Sequence, residues 1–213
     1  MAHVKICGLS EPITMKAALD AGADMVGLVF FAKSPRNVNV EQAAALAKMA
    51  KGKADVVALV VDADDKLLGL ITKRVRPDYF QAHGQETPNR VAEIAKLTGV
   101  KVIKAIAVRE ASDVAMAQSF KGKADLVLFD AKAPDTLKDA LPGGNGISFD
   151  WTLLKGIEGS FMLSGGLSPD NVAEAIAVTG APIVDVSSGV ETAPGIKDAC
   201  LIRKFIEQAK LSG

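Results

Sequence analysis

The stretch His3-Val4-Lys5-Ile6-Cys7 runs into Gly8-Leu9-Ser10-Glu11-Pro12 and then into an Ala-rich segment that stops at Gly22. Val and Ile suit a pleated strand, a Pro suits the first turn of a helix, and a Gly suits the residue just past its end. These twenty residues therefore read as one strand, one turn and one helix. The same unit recurs along the chain. Strands are expected at His3–Cys7, Met25–Phe30, Asp55–Val61, Tyr79–Ala82, Lys101–Ala107, Leu126–Asp130, Ser160–Ser164 and Ile183–Val186, separated by amphipathic runs. Eight such units close a barrel, so the expected fold is a TIM (β/α)8 barrel, one domain over residues 1–213, with its site at the C-terminal ends of the strands.

The punctuation agrees with that count. Ser10 before Glu11-Pro12, and Ser168 before Pro169-Asp170, are expected N-caps with Pro opening the helix. Gly22, Gly52, Gly99, Gly122 and Gly180 each follow a helical run and precede a strand, as left-handed C′ glycines do. Lys51-Gly52-Lys53-Ala54-Asp55 recurs as Lys121-Gly122-Lys123-Ala124-Asp125. The copies precede the third and sixth strands, so they read as a shared helix-to-strand turn rather than as halves of a duplicated barrel. Long connections follow strands, at Phe31–Asn39 and Ala131–Asp150, and the second carries Pro142, Gly143, Gly144 and Gly146. Loops with so many breakers stay irregular and commonly cover a binding site.

Composition narrows the function. Apolar residues make up 49% and aromatics 5%, so the core is built from Ala, Val, Leu and Ile, as strands wrapped by helices require. Lys plus Arg and Asp plus Glu both total 25, which leaves no net field for a polyanion and argues against nucleic acid as a partner. Apolar runs such as Val56–Val61 are strand-length, and the N-terminus opens on a strand, so neither membrane span nor leader is expected and a cytoplasmic location is. Two cysteines, Cys7 and Cys200, fit a reducing compartment, and His3 and His83 stand without neighbours at metal-ligand spacing. No metal is expected. A neutral surface is compatible with monomer or homodimer.

Period-two alternation along the first strand puts Lys5 and Cys7 inside the barrel, with Val4 and Ile6 facing helices. Closure of the eighth strand on the first brings Asp185 to Lys5, most simply as a structural ion pair. Cys7 then ends its strand at the mouth. An inert buried thiol is the common fate of cysteine, but a strand-end thiol lowered from about 8.5 by a positive neighbourhood would serve as a base. Asp130 ends the sixth strand above Leu126 and Leu128, where it is either a helix cap or a carboxyl desolvated enough to deliver a proton. Ser164-Gly165-Gly166 and Ser187-Ser188-Gly189 rim the last two strands, where small residues offer N–H groups to a phosphate. Arg36, in Ser34-Pro35-Arg36, is either a solvated cation or a fork for a carboxylate. His83 faces the mouth as a hydrogen-bonded lining residue or as a tuner of Cys7.

Taken in order, Lys5-Ile6-Cys7-Gly8, Ser34-Pro35-Arg36, Gln81-Ala82-His83-Gly84, Phe149-Asp150-Trp151, Leu163-Ser164-Gly165-Gly166-Leu167 and Asp185-Val186-Ser187-Ser188-Gly189-Val190-Glu191 resemble the phosphoribosylanthranilate isomerases of tryptophan biosynthesis. The resemblance implies an aldose–ketose isomerase that performs an Amadori rearrangement, turning an aminoaldose phosphate into 1-(2-carboxyphenylamino)-1-deoxyribulose 5-phosphate. It implies Asp130 as general acid on the furanose ring oxygen and Cys7 as general base at C2′. It also implies Arg36 on the anthranilate carboxylate and His83 beside the substrate. Phosphate would sit on the N–H groups of Gly165, Gly166, Ser187, Ser188 and Gly189, with no cofactor. Ala82 and Asn145 depart from the family pattern, which commonly has Leu and Thr or Ser there; neither is a proton-transfer group. Two competing readings are the sugar isomerase of histidine biosynthesis, which uses two carboxylates, and a phosphate-binding barrel without catalysis.

Overall fold

The strands of the computed structural model, which describes residues 1–133, 141–157 and 159–212, lie where the apolar runs are. They are β1 (His3–Cys7), β2 (Met25–Phe30), β3 (Asp55–Val60), β4 (Tyr79–Ala82), β5 (Lys101–Val108), β6 (Leu126–Ala131), β7 (Phe161–Leu163) and β8 (Ile183–Val186). Each pairs in parallel with the next, and β8 pairs in parallel with β1, so the barrel closes. The helices are α1 (Pro12–Asp20), α2 (Val40–Ala50), α3 (Asp65–Arg74), α4 (Pro88–Thr98), α5 (Ala111–Ala115), α6 (Val172–Thr179) and α7 (Ala199–Leu211). Between β6 and β7 the described residues hold only a one-turn 3-10 helix, Trp151–Leu154, capped by Asp150 accepting from the Thr152 N–H at 3.0 Å. The breakers at 142–146 explain this: Pro lacks a donor, and Gly gives up the most chain entropy in a helix.

Two expected caps are corrected. The helix α1 begins at Pro12, and a Pro in the first helical position makes the residue directly before it the cap, which is Glu11 rather than Ser10. Ser10 instead accepts at its carbonyl from Gln42 Nε2. Pro169 opens a turn, not α6; that helix starts at Val172 with Asn171 as its cap residue, and Asn171 Oδ1 accepts from the Ser168 N–H at 2.8 Å. The glycine reading holds, since Gly22, Gly52, Gly99, Gly122 and Gly180 all have φ between 65° and 84°. The repeated Lys-Gly-Lys-Ala-Asp segments form the same turn, with Lys53 and Ala54 donating to the Ala50 carbonyl and Lys123 and Ala124 to that of Phe120.

Register carries the side-chain alternation around the barrel. Met25, Val57, Ile103, Ala105, Leu128 and Met162 fill the interior, while Val4, Ile6, Val26, Phe80 and Val184 pack under the helices. Above that interior layer lie Cys7, Val29 and Leu59, with Phe31 and Val61 against them. At the opposite end, Asp24, Asp78 and Asp125 each accept the N–H of the second residue of a neighbouring strand, Val4, Val56 and Val102, at 2.8 Å. One end of the barrel is thus tied by repeated structural bonds, which leaves chemistry to the other.

Candidate active site

The mouth encloses a pocket with about 740 Å³ of empty space, partly open to solvent, lined by Cys7, Arg36, His83, Asp130, Gly165, Gly166, Ser187 and Ser188 among others. Residues from six strand ends or the loops after them, from Cys7 to Ser188, therefore share one cavity. Gly189 is not among the lining residues; it packs behind them, where a Cβ would overlap the Leu167 carbonyl oxygen.

Beneath the pocket, Lys5 Nζ donates to Asp185 Oδ1 at 2.8 Å and the Ser164 hydroxyl donates to Asp185 Oδ2 at 3.2 Å. Burial pulls the Lys5 ammonium down, but Asp185 and Cys7 outweigh it and hold it above its ordinary value. Removing either partner would strand a buried charge at a cost of about 3–5 kcal/mol. The ion pair expected from closure of the eighth strand on the first is thus present.

Cys7 is 4% exposed and opens to the pocket. Its expected lowering is corrected. Burial pushes the thiol above its ordinary value, and Asp185 adds to that, against the opposing pull of Lys5 and Lys197. A positive neighbourhood is present, but loss of water around the thiolate is the larger effect. In a Cys200→Ser background, which removes the exposed thiol, alkylation of Cys7 by iodoacetamide should speed up with pH and reach its midpoint above about 8.5. A midpoint below neutrality would contradict the buried setting.

Asp130, also 4% exposed, accepts from the Ala131 N–H at 2.9 Å through Oδ1, and its Oδ2 lies 3.2 Å from His83 Nε2. His83 Nδ1 in turn lies 2.7 Å from Gln81 Nε2. Gln81, His83 and Asp130 therefore form one chain of side-chain contacts. His83 thus serves Asp130 rather than Cys7, which corrects the second of its two sequence readings. The loop after β6 covers this pair: at Gly143 a Cβ would lie 2.5 Å from Asp130 Oδ2 and 2.6 Å from His83 Nε2. Only glycine permits that approach. Asn145 holds the cover in shape, accepting from the Leu141 N–H at 3.1 Å and donating to its carbonyl at 2.7 Å. The rest of the expected loop, residues 134–140, lies outside the described residues.

Arg36 is neither solvated nor a free fork. Its Nε and Nη2 donate to Glu191 Oε1 and Oε2 at 2.7 and 2.9 Å, and Nη2 also donates to the Gly144 carbonyl at 3.1 Å. Nη1 has no acceptor among the described residues and packs against Gly144, where a Cβ would lie 2.6 Å from it. Glu191 belongs to a hairpin that sequence reasoning missed, β9 (Glu191–Ala193) and β10 (Ile196–Lys197), whose one signal was the Pro194-Gly195 turn dipeptide. Burial would raise the Glu191 carboxyl, but Arg36 and Lys197 outweigh it and hold it below its ordinary value.

At the rim of β7 and β8, the backbone N–H groups of Gly165, Gly166, Ser188 and Gly189 donate to no protein acceptor among the described residues. Gly165 has φ +88°, and a Cβ there would lie 2.5 Å from the Ala131 nitrogen, so the turn that presents its N–H requires glycine. Unpartnered amides of this kind make an anion cradle.

A thiol and a carboxyl facing one pocket beside an anion cradle define the class: a (β/α)8 barrel equipped for acid–base chemistry on a small anionic molecule. Comparison with known proteins narrows this. The family model of N-(5'-phosphoribosyl)anthranilate isomerase matches residues 4–208. An enzyme of that name from Rhodopseudomonas palustris is 55% identical over 210 residues, covering 97% of this chain and 95% of its own. The crystal structure of phosphoribosyl anthranilate isomerase from Thermotoga maritima superposes with a TM-score of 0.87 at 33% identity, covering 99% of both chains. A further phosphoribosyl anthranilate isomerase, solved with reduced 1-(o-carboxyphenylamino)-1-deoxyribulose 5-phosphate, superposes at 0.85 with 32% identity and 99% coverage of both. The chain belongs to the N-(5'-phosphoribosyl)anthranilate isomerase family.

Proposed function

We propose that the protein isomerises N-(5'-phosphoribosyl)anthranilate to the aminoketose in tryptophan biosynthesis, with Asp130 as general acid and Cys7 as general base. It acts as a single-domain, cytoplasmic enzyme without cofactor. The observation that carries the reading is the convergence of Cys7, Asp130 and the unpartnered amides of Gly165, Gly166 and Ser188 on one pocket. Family membership supplies the substrate.

Protonated Asp130 donates to the furanose ring oxygen as the nitrogen lone pair expels it, opening the ring to a protonated Schiff base. The thiolate of Cys7, the minor form because burial raises the thiol, then removes the proton on C2′, and the electron pair neutralises the iminium to give an enolamine, which tautomerises to the ketone. Each transfer by a placed group contributes about 10² to 10⁴ in rate. His83 orients the Asp130 carboxyl, and the cover at Gly143 keeps water from the Schiff base. Phosphate is held by the amides of Gly165, Gly166 and Ser188, with Ser187 lining the same rim and Gly189 packed behind it, and the anthranilate carboxylate by Arg36.

The test supplies anthranilate, phosphoribosyl pyrophosphate and the preceding transferase, and follows the fluorescence of phosphoribosylanthranilate. Addition of the protein should extinguish it faster than the spontaneous decay; decay at the blank rate defeats the proposal. In the same assay Arg36→Met should raise KM about tenfold or more while kcat falls by less, since one charge-assisted hydrogen bond is worth about 1.5–3 kcal/mol. An unchanged KM would remove Arg36 from substrate binding.

A further inference from the structure

Lys197 is a buried cation beside the mouth to which the proposed chemistry gives no task. It lies on β10 directly across from Glu191 on β9, and its side chain is 1% exposed. Its ammonium makes three hydrogen bonds: to Glu191 Oε1 at 2.7 Å, to the Ser187 carbonyl at 2.8 Å and to the Ser187 hydroxyl oxygen at 3.2 Å. A lysine that merely pinned the hairpin would be satisfied by Glu191. Two of these three bonds instead leave the hairpin for the residue that starts the anion cradle.

The consequence follows from the geometry of one peptide unit. In a planar trans peptide the carbonyl oxygen and the next N–H point in opposite directions. The Ser187 carbonyl accepts from the Lys197 ammonium at 2.8 Å and from the Val190 N–H at 3.3 Å, and the N–H on the opposite edge of that peptide belongs to Ser188, which lines the pocket. The same ammonium occupies the Ser187 hydroxyl oxygen as an acceptor, which leaves its proton to be donated to the Cys7 carbonyl at 3.2 Å. Charge adds to orientation. Arg36 and Lys197 share the single carboxylate of Glu191, so the cluster carries one net positive charge beside a cradle built from dipoles alone.

We propose that Lys197 is a positioning residue for phosphate binding, holding the Ser187–Ser188 peptide with its N–H aimed into the mouth and placing a positive charge behind the cradle. The inference rests on the reading of 187–189 as the phosphate site. Burial pulls this ammonium below its ordinary value, opposed by Glu191 and Cys7, in keeping with a charge retained by partners rather than by water.

Inorganic phosphate, titrated as a competitive inhibitor of the whole enzyme, reads the cradle directly. Lys197→Met should raise the phosphate inhibition constant and KM together, by about tenfold or more, with kcat changed by less than about threefold. Lys197→Arg, which keeps the charge but cannot reproduce both bonds to Ser187, should raise them by a smaller factor and serves if the Met variant does not fold. A lower melting temperature with both constants within twofold of wild type, in whichever variant folds, would reduce Lys197 to a hairpin anchor and overturn the proposal. Failure of the underlying reading shows earlier and separately: wild-type enzyme that turns over substrate but is not inhibited by phosphate has no phosphate site at 187–189.

Discussion

Cys7→Ala is expected to lower kcat by about 10² to 10⁴ while the barrel melts within a few degrees of wild type. The side chain removed is small, and Lys5 keeps its ion pair with Asp185 beneath the site, so no buried charge is stranded. Cys7→Ser should not restore the rate. A hydroxyl is far less acidic than a thiol, and the burial that already disfavours the Cys7 thiolate would disfavour an alkoxide more. Steady-state fluorescence kinetics with a thermal melt separate the two quantities, and a loss under about tenfold would rule the thiol out as base.

Asp130→Asn should cost a comparable factor for a different reason. The amide has the shape of the carboxyl, and its oxygen can still accept from the Ala131 N–H, so the end of β6 and the approach of Gly143 are preserved. What is lost is a transferable proton. Ring opening then lacks its acid, whereas removal of the C2′ proton remains possible on a substrate that is already open. The variant should therefore accumulate the closed aminoaldose, and the observed loss should be almost wholly in kcat. Near-normal turnover by Asp130→Asn would move the acid role to another group, with His83, 3.2 Å away, the first to be examined by His83→Gln.

The sequence was read correctly where a rule acts between near neighbours. Short apolar runs rich in Val and Ile located the strands to within a residue or two, and glycines after helical runs marked left-handed turns at all five positions named for them. The same local rules failed at the caps. Pro12 moved the cap of α1 to Glu11, and at Ser168 the turn occupied three more residues before α6 could begin. At the site, chemistry-bearing residues were legible because they end strands, but their partners were not. Arg36 looked free, and its partner Glu191 lies 155 residues away on a hairpin with two-residue and three-residue strands. Cys7 looked activated because cations were expected nearby; the depth of its burial reversed the direction.

Strand order, the eight-fold count and the inward parity of Lys5, Cys7, Asp130 and Asp185 were determined by the chain alone, because a pleat and a right-handed crossover leave few ways to assemble such units. The tertiary structure alone decided which donor meets which acceptor at the mouth: His83 on Asp130, Arg36 forked onto Glu191, Lys197 on Ser187. Those pairings depend on loop paths and on water excluded by distant segments, and both exist only once the barrel has closed.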